Sequence, residues 1–461
     1  MGKPATSGKN GVSRRDFFKS TGAGLFVSGL AANRQGDAFS ACDEPTQAGK
    51  TSGAMSSTLA KSSDFIDVRE FMKTLTVEEL AKTSEAYFAV LKNWDSHLAK
   101  PLAGIHDAPA LLIAFAHALH GLQLLPGMTV VDFGAGSCWA SHRLTQLGME
   151  VIALDVSPTA LKIGRTLYAR QPLFGKRPAP RFLVFDGHRI ALADASVDRI
   201  LCLDTFHHIL NPEEILREMS RILKAGGIAG FSEPGPHYSR TPQSQYEMRN
   251  FKVLENDIHI REVWFSARRA GFTRMELAVF SPQAHLLTLA EFEDYLNGGS
   301  ASRRVAEFTR SQMEDRRLFF LHKGEEAPAL DSRRRTGLAA QLQVNLASAT
   351  VRQGTPLIAQ VAVTNSGQAT WLPHSSKVGG VRLTCHLLDV SGKMLAPDYF
   401  GHPLTPGDGR PIAPGETLQL RVRIPSPPKG RYILEFDLVS LSVGRFSFSG
   451  SETVRVTFQV V

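Results

Sequence analysis

Val130-Val131-Asp132-Phe133-Gly134-Ala135-Gly136 is the stretch on which the reading of this chain turns. Its apolar half suits a buried strand. Its small residues suit the turn that follows, where backbone amides approach a ligand closely before a helix opens. Working outward, strand-like runs at 129–133, 151–155, 181–186, 199–203, 228–232, 274–280 and 317–322 alternate with helical ones. That alternation predicts a parallel, doubly wound α/β sheet. One intervening helix is well delimited, because Asn211 can cap it, Pro212 fits its first turn and Gly226-Gly227 stops it. Upstream, Thr76-Val77-Glu78-Glu79 is a capping box, and Leu80, Tyr87, Phe88 and Leu91 continue at helical spacing. The uncharged run 108–131 carries His117, His120 and Gln123 and ends at Pro126-Gly127, which predicts a buried helix and a turn. No transmembrane helix is expected in the mature chain.

Asp155, closing the second strand, places an acid where a ribose diol could be held. A Gly-x-Gly turn of this kind serves dinucleotides or S-adenosylmethionine. The dinucleotide pattern wants a third glycine where this chain has Trp139, and Asp132 would repel a pyrophosphate. A methionine ammonium and a sulfonium would be attracted by it. Over roughly residues 80 to 325 the chain resembles the class I S-adenosylmethionine-dependent methyltransferases, close to the group labelled methyltransferase type 11. The matching segments are 132–136, Asp155, Phe185-Asp186-Gly187, the run from Ser196 to Ile209, and Leu223 to Gly227. The resemblance implies that Asp132, Gly134 and Gly136 lie against the methionyl part of the cofactor and that Asp155 holds the ribose hydroxyls. It implies further that Asp186, beside Gly187, contacts the adenine amino group. Cys138 departs from the pattern, since many relatives have glycine there.

Methyl transfer from a sulfonium is an in-line displacement, so positioning supplies much of the rate and a base is needed only when the acceptor must lose a proton. His207, His208 and His237 are the candidate bases. One of the paired histidines is read as packed and the other as facing the substrate. Glu233, before Pro234-Gly235, either orients a substrate or is a solvated loop acid. Residues 235–260 and a helical insertion at 283–314 are expected to overhang the site and select the acceptor. His97, His106, His117 and His120 are read as structural or surface groups. No residue is assigned to a metal, and the scattered cysteines give neither a zinc pattern nor a disulfide framework.

Past Arg333-Arg334-Arg335, read as an exposed connector, helices give way to alternation: Leu418, Leu420, Val422 and Ile424 interleave with Gln419, Arg421 and Arg423. This predicts an all-β sandwich. Asn365-Ser366-Gly367, Trp371, Pro414-Gly415-Glu416 and the run from Gly430 to Val439 resemble the immunoglobulin-like sandwiches appended to bacterial enzymes and transporters of cell-surface polysaccharide. The expected architecture is therefore a Rossmann-like seven-stranded methyltransferase domain at 71–330 and an immunoglobulin-like β-sandwich at 341–461.

At the other end, Ser13-Arg14-Arg15-Asp16-Phe17-Phe18-Lys19 precedes an uncharged stretch from Ser20 to Ala32 and resembles a twin-arginine (Tat) export signal. Residues 1–41 are read as that signal, 42–70 as a flexible linker, the Tat machinery as a partner and the periplasm as the destination, with the cytoplasm as the alternative. The chain has 461 residues, 43% of them hydrophobic, which excludes a disordered protein. Its net charge of +8 owes much to the first residues and is no argument for nucleic acid. The leading reading is methylation of a small molecule or glycan by S-adenosylmethionine. The alternative is an exported non-catalytic protein that keeps the fold as a scaffold and binds glycan through the sandwich.

Overall fold

In the computed structural model, which describes residues 65–281, 283–324, 330–407 and 409–461, the chain divides into two compact units. One comprises residues up to 124 with 128–325, the other 125–127 with 326–461. The stretch read as an export signal, with Arg14 and Arg15, and most of the expected linker lie outside the described residues. The linker ends earlier than 70. A helix spans Val68–Met72, capped by Asp67, and Val68 is buried with Met248 and Leu254.

The first unit is built on strands β1 (Thr129–Phe133), β2 (Glu150–Asp155), β3 (Arg181–Val184), β4 (Val197–Leu203), β5 (Leu223–Pro234), β6 (Arg274–Leu277) and β7 (Arg316–His322), in the order β3-β2-β1-β4-β5-β7-β6. Val130, Val131 and Phe133 are buried, as are residues 151–155 of β2, because helices cover both faces of the central strands. The sheet is mixed rather than wholly parallel. β7 runs antiparallel to both β5 and β6. The helices Leu289–Leu296 and Ser300–Asp315 fill the connection that makes this reversal possible. β1 pairs with β2 on one side and β4 on the other, so the chain changes direction of travel across the sheet between them. Such a switch point opens a crevice at the carboxyl ends of the two strands.

The second unit is all β apart from one short 3-10 turn among its described residues. Strands β8 (Ala340–Leu346), β9 (Thr350–Val351), β10 (Leu357–Asn365), β11 (Val381–Asp389), β12 (Met394–Pro403), β13 (Thr417–Ile424), β14 (Gly430–Ser440), β15 (Gly444–Arg445) and β16 (Val454–Val460) form two separate sheets. One has the order β13-β10-β8; the other has β12-β11-β14-β16-β9, with β15 on β14. Val361 and Val363 of one sheet and Leu383, Phe436 and Phe458 of the other share a core with Trp371.

The arginine run is not a free connector. Asp331 and Ser332 are buried, and Arg333 is held by Asp331 at 2.8 Å. Ser332 Oγ donates to the Gly379 carbonyl at 2.6 Å and accepts the Leu372 amide at 2.8 Å. Consecutive arginines read as exposed only when their neighbouring acid is overlooked. Ser332→Ala is expected to destabilise this unit by about 1–3 kcal/mol, the scale of orphaning buried polar groups. Urea unfolding followed by circular dichroism checks it, and an unchanged midpoint would leave the segment a mere tether.

Candidate functional site

A cavity of about 260 Å³ lies at the carboxyl ends of β1, β2 and β4 and is lined by both motif residues and helical cover. On one side stand Gly134, Ala135, Gly136, Asp155, Phe185 and Gly187. The Gly134 and Ala135 amides donate to the Leu154 carbonyl at 2.9 and 3.0 Å, which bends the loop across the end of β2. Gly136 has φ 51°. A methyl group built on it would meet nothing within 4 Å, so the backbone presents an open cradle to the cavity. Asp155 Oδ2 accepts the Gly136 amide at 2.7 Å and Oδ1 accepts the Ser157 amide at 2.8 Å, which fixes the carboxylate and leaves it lone pairs for a diol. Burial pushes its carboxyl up to about 6.

Two of the expected cofactor residues lie outside the lining of this cavity. Asp132 is buried behind the loop, outside the cavity lining, and its Oδ2 accepts the Ser141 hydroxyl at 2.6 Å. Asp186 is exposed and also outside the lining, with Oδ1 taken by the amides of His188 and Arg189, both at 2.8 Å. Its short side chain closes a turn rather than reaching inward. Cys138, where glycine was expected, adopts the glycine conformation at φ 62° and ψ 27°. Gly164 on the helix Pro158–Arg170 makes room for it, since a Cβ there would come within 2.3 Å of the Cys138 sulfur.

The other end of the cavity is polar. His207 and His208 both line it, their rings 3.8 Å apart. His207 Nδ1 lies 2.7 Å from Glu233 Oε2, and His208 Nδ1 donates to the Leu254 carbonyl at 2.6 Å. Burial pulls both imidazoles down to about 3, so they are neutral at physiological pH and weak as bases. Glu233 stands outside the cavity lining and is not a solvated loop acid. It is fully buried, and it accepts the amides of Thr205, Phe206 and His207 at 3.1, 2.9 and 3.3 Å. Burial, with the Asp204 charge adding, lifts its carboxyl to about 7. His237 is exposed and stands outside the lining.

Sequence reasoning did not find several lining residues. Lys100, Tyr238, Glu247 and Glu255 line the cavity, as does His97, whose imidazole burial and the Lys100 charge pull down to about 4. Burial raises the carboxyls of both Glu247 and Glu255. The segment after β5 does overhang the site, through residues 238–255, whereas the insertion at 283–314 contributes no described lining residue. Its place is taken by the amino-terminal helix Val77–Ala89. Glu85 of that helix docks it by accepting the Ser157 and Thr159 hydroxyls, each at 2.6 Å. The capping box and the helical spacing of Leu80, Tyr87 and Phe88 were the sequence signals for this helix, though not for its place over the site.

Residues 131–231 match the family model described as a methyltransferase domain. The α/β unit carries a methyltransferase domain. The chain is 31% identical over 135 residues to a demethylmenaquinone methyltransferase of Renibacterium salmoninarum, covering 29% of this chain and 53% of that protein. It is 33% identical over 103 residues to a ubiquinone biosynthesis O-methyltransferase of Caulobacter vibrioides, covering 22% and 39%. The chain thus spans about half the length of the curated relatives it matches. A solved S-adenosylmethionine-dependent methyltransferase from Mesorhizobium loti aligns at 18% identity and TM-score 0.34, over 46% of this chain and 98% of that one. The cofactor of the methyltransferase domain is S-adenosylmethionine, and the Gly136 cradle beside the Asp155 carboxylate fits it.

A pH dependence follows from Asp155. A diol needs the carboxylate, so affinity for S-adenosylmethionine should be constant above about pH 6 and fall as pH drops through that value, approaching tenfold per unit. Calorimetry across that range checks it, with Asp155→Asn expected to bind weakly and without the slope.

Proposed function

We propose that this chain transfers a methyl group from S-adenosylmethionine to a small acceptor bearing an apolar, quinone-type ring. The observation that carries the reading is that the Gly136 and Asp155 wall and the His207, His208 and Glu255 end face one cavity. Phe88, Leu111, Ala114, Phe133 and Trp139 supply apolar lining between and around them. The names of the matched relatives, a demethylmenaquinone methyltransferase and a ubiquinone biosynthesis O-methyltransferase, agree with such an acceptor. When bound, the cofactor supplies a methyl group on a cationic sulfur. The chain's own work is then to hold the ribose at Asp155, exclude water with the aromatic wall and present the acceptor along the line of transfer. His207, fixed by Glu233, offers Nε2 toward the acceptor end.

Calorimetry should show that S-adenosylmethionine binds and NADH does not, and Asp155→Ala should weaken binding by about 1–3 kcal/mol. Mass spectrometry of products from a panel of hydroxylated quinone precursors and of glycans then assigns the acceptor. Methylation of glycans alone would overturn the ring-bearing class, and a protein that ignores the sulfonium cofactor would overturn the whole reading.

We also propose export of the folded chain, on the strength of Ser13 to Lys19 and the uncharged stretch after them. Fractionated cells should hold wild type in the periplasm, shortened at the amino terminus. The Arg14→Lys/Arg15→Lys double variant should remain inside at full length. Identical full-length cytoplasmic protein in both would make the basic segment only a tail.

A further inference from the structure

The polar end of the cavity contains a group of side chains arranged as ligands rather than as hydrogen-bond partners of one another. One potential ligand atom from each of His207, His208 and Glu255 lies within 4.8 Å of the other two. His207 Nε2 stands 3.7 Å from Glu255 Oε2, too long for a hydrogen bond, and His208, whose Nδ1 donates to the Leu254 carbonyl at 2.6 Å, would ligate through Nε2. Donors around a zinc ion with bonds near 2.0–2.1 Å are separated by roughly 3.3 Å, so small side-chain rotations would close the set.

Two further observations point the same way. Glu255 is 2% exposed, and its Oε2 has no hydrogen-bond partner; Glu247, 4% exposed on the same cavity, also has an unpartnered Oε2. A buried carboxylate oxygen left without a partner carries its full desolvation cost, and two of them beside a pair of imidazoles call for a cation. Behind the set, Glu233 accepts from His207 Nδ1 at 2.7 Å, since its two oxygens already receive three backbone amides. That bond fixes the tautomer and leaves the Nε2 lone pair facing the cavity. A carboxylate behind a ligating histidine is the usual means of orienting the ring and raising its basicity.

We propose that His207, His208 and Glu255 form a site for one divalent first-row transition metal ion, with Glu247 as the neighbouring carboxylate. Two imidazoles and a carboxylate favour zinc, iron(II) or cobalt(II) over magnesium or calcium, which prefer oxygen donors alone. The set leaves positions open toward the cavity, where an oxygen atom of the acceptor would bind. This last point rests on the proposed function, whereas metal binding is measured without cofactor or acceptor.

The test uses the full chain, stripped with a chelator and titrated with Co²⁺ while the visible absorption bands of the bound ion are recorded, with Zn²⁺ uptake followed by elemental analysis. Wild type should take up one equivalent in each case. Glu255→Gln and His208→Ala should each bind at least about tenfold more weakly, in keeping with the loss of a ligand. Asp155→Ala, at the opposite wall, should bind Co²⁺ as wild type does while losing affinity for S-adenosylmethionine. Wild type that takes up neither ion, or both ligand variants binding as wild type does, would overturn the site. Metal uptake by a wild-type chain that ignores S-adenosylmethionine would keep the site and defeat the methyltransferase reading instead.

Discussion

The polar half of the cavity depends on one buried carboxylate. Glu233, at the end of β5, gathers the amides of Thr205, Phe206 and His207 and the Nδ1 of His207. Four donors offset the cost of removing a carboxylate from water, and without it three amides would lose their acceptor. The loop after β4 is therefore folded against the end of β5 by an acid as well as by apolar contact, the Phe206 and Phe231 rings lying 5.2 Å apart. Asp204, one residue earlier, sits at φ 48° and is held there by Arg316 of β7 at 2.6 Å, while Arg316 also donates to Ser232 at 2.9 Å. The antiparallel strand thus takes part in the site. By lying beside β5 it delivers a guanidinium to the carboxyl ends of strands that run the other way.

The cofactor half obeys a different constraint, which is backbone shape. The loop after β1 must turn sharply enough to leave the Gly136 amide for Asp155, and Cys138 completes that turn in a left-handed conformation that costs a non-glycine residue roughly 1–2 kcal/mol. The cost is tolerated because Gly164 vacates the space its side chain needs. Glycine at 164 and cysteine at 138 are one packing decision written in two places. Asp132 supports the same loop from behind through Ser141, so the acid that distinguishes this turn in the sequence shapes the site without lining it.

Legibility followed the distinction between local and assembled features. β1 was readable to the residue because an apolar run meets a glycine turn, and Asp155 was readable because parallel register places the end of β2 beside the end of β1. The direction of β7 left no trace, since composition and alternation do not encode which way a strand runs. Glu233 was misread because an acid before Pro234-Gly235 has the signature of a loop. The one contrary sign was the run Ile228-Ala229-Gly230-Phe231, which carries strand-like sequence to within two residues of it. Asp186 shows another limit, because a motif position says nothing about which way a short side chain turns once the amides of His188 and Arg189 compete for its Oδ1.

Glu247, Glu255, Tyr238 and Lys100 carry no mutual spacing that a sequence could reveal. They come from segments more than a hundred residues apart, brought together by the docking of the amino-terminal helix through Glu85 and by the loop after β5. This separates two kinds of information in the chain. The cofactor end is set by strand ends whose relative positions the sheet fixes, and it tolerates little variation. The acceptor end is set by cover that can change without disturbing the sheet, so acceptor selectivity can diverge while the cofactor machinery stays constant. Glu233 belongs to both. It is anchored in the sheet through β5, yet its Oε2 orients His207 into the variable end, which makes it the point at which a fixed scaffold constrains an otherwise adjustable pocket.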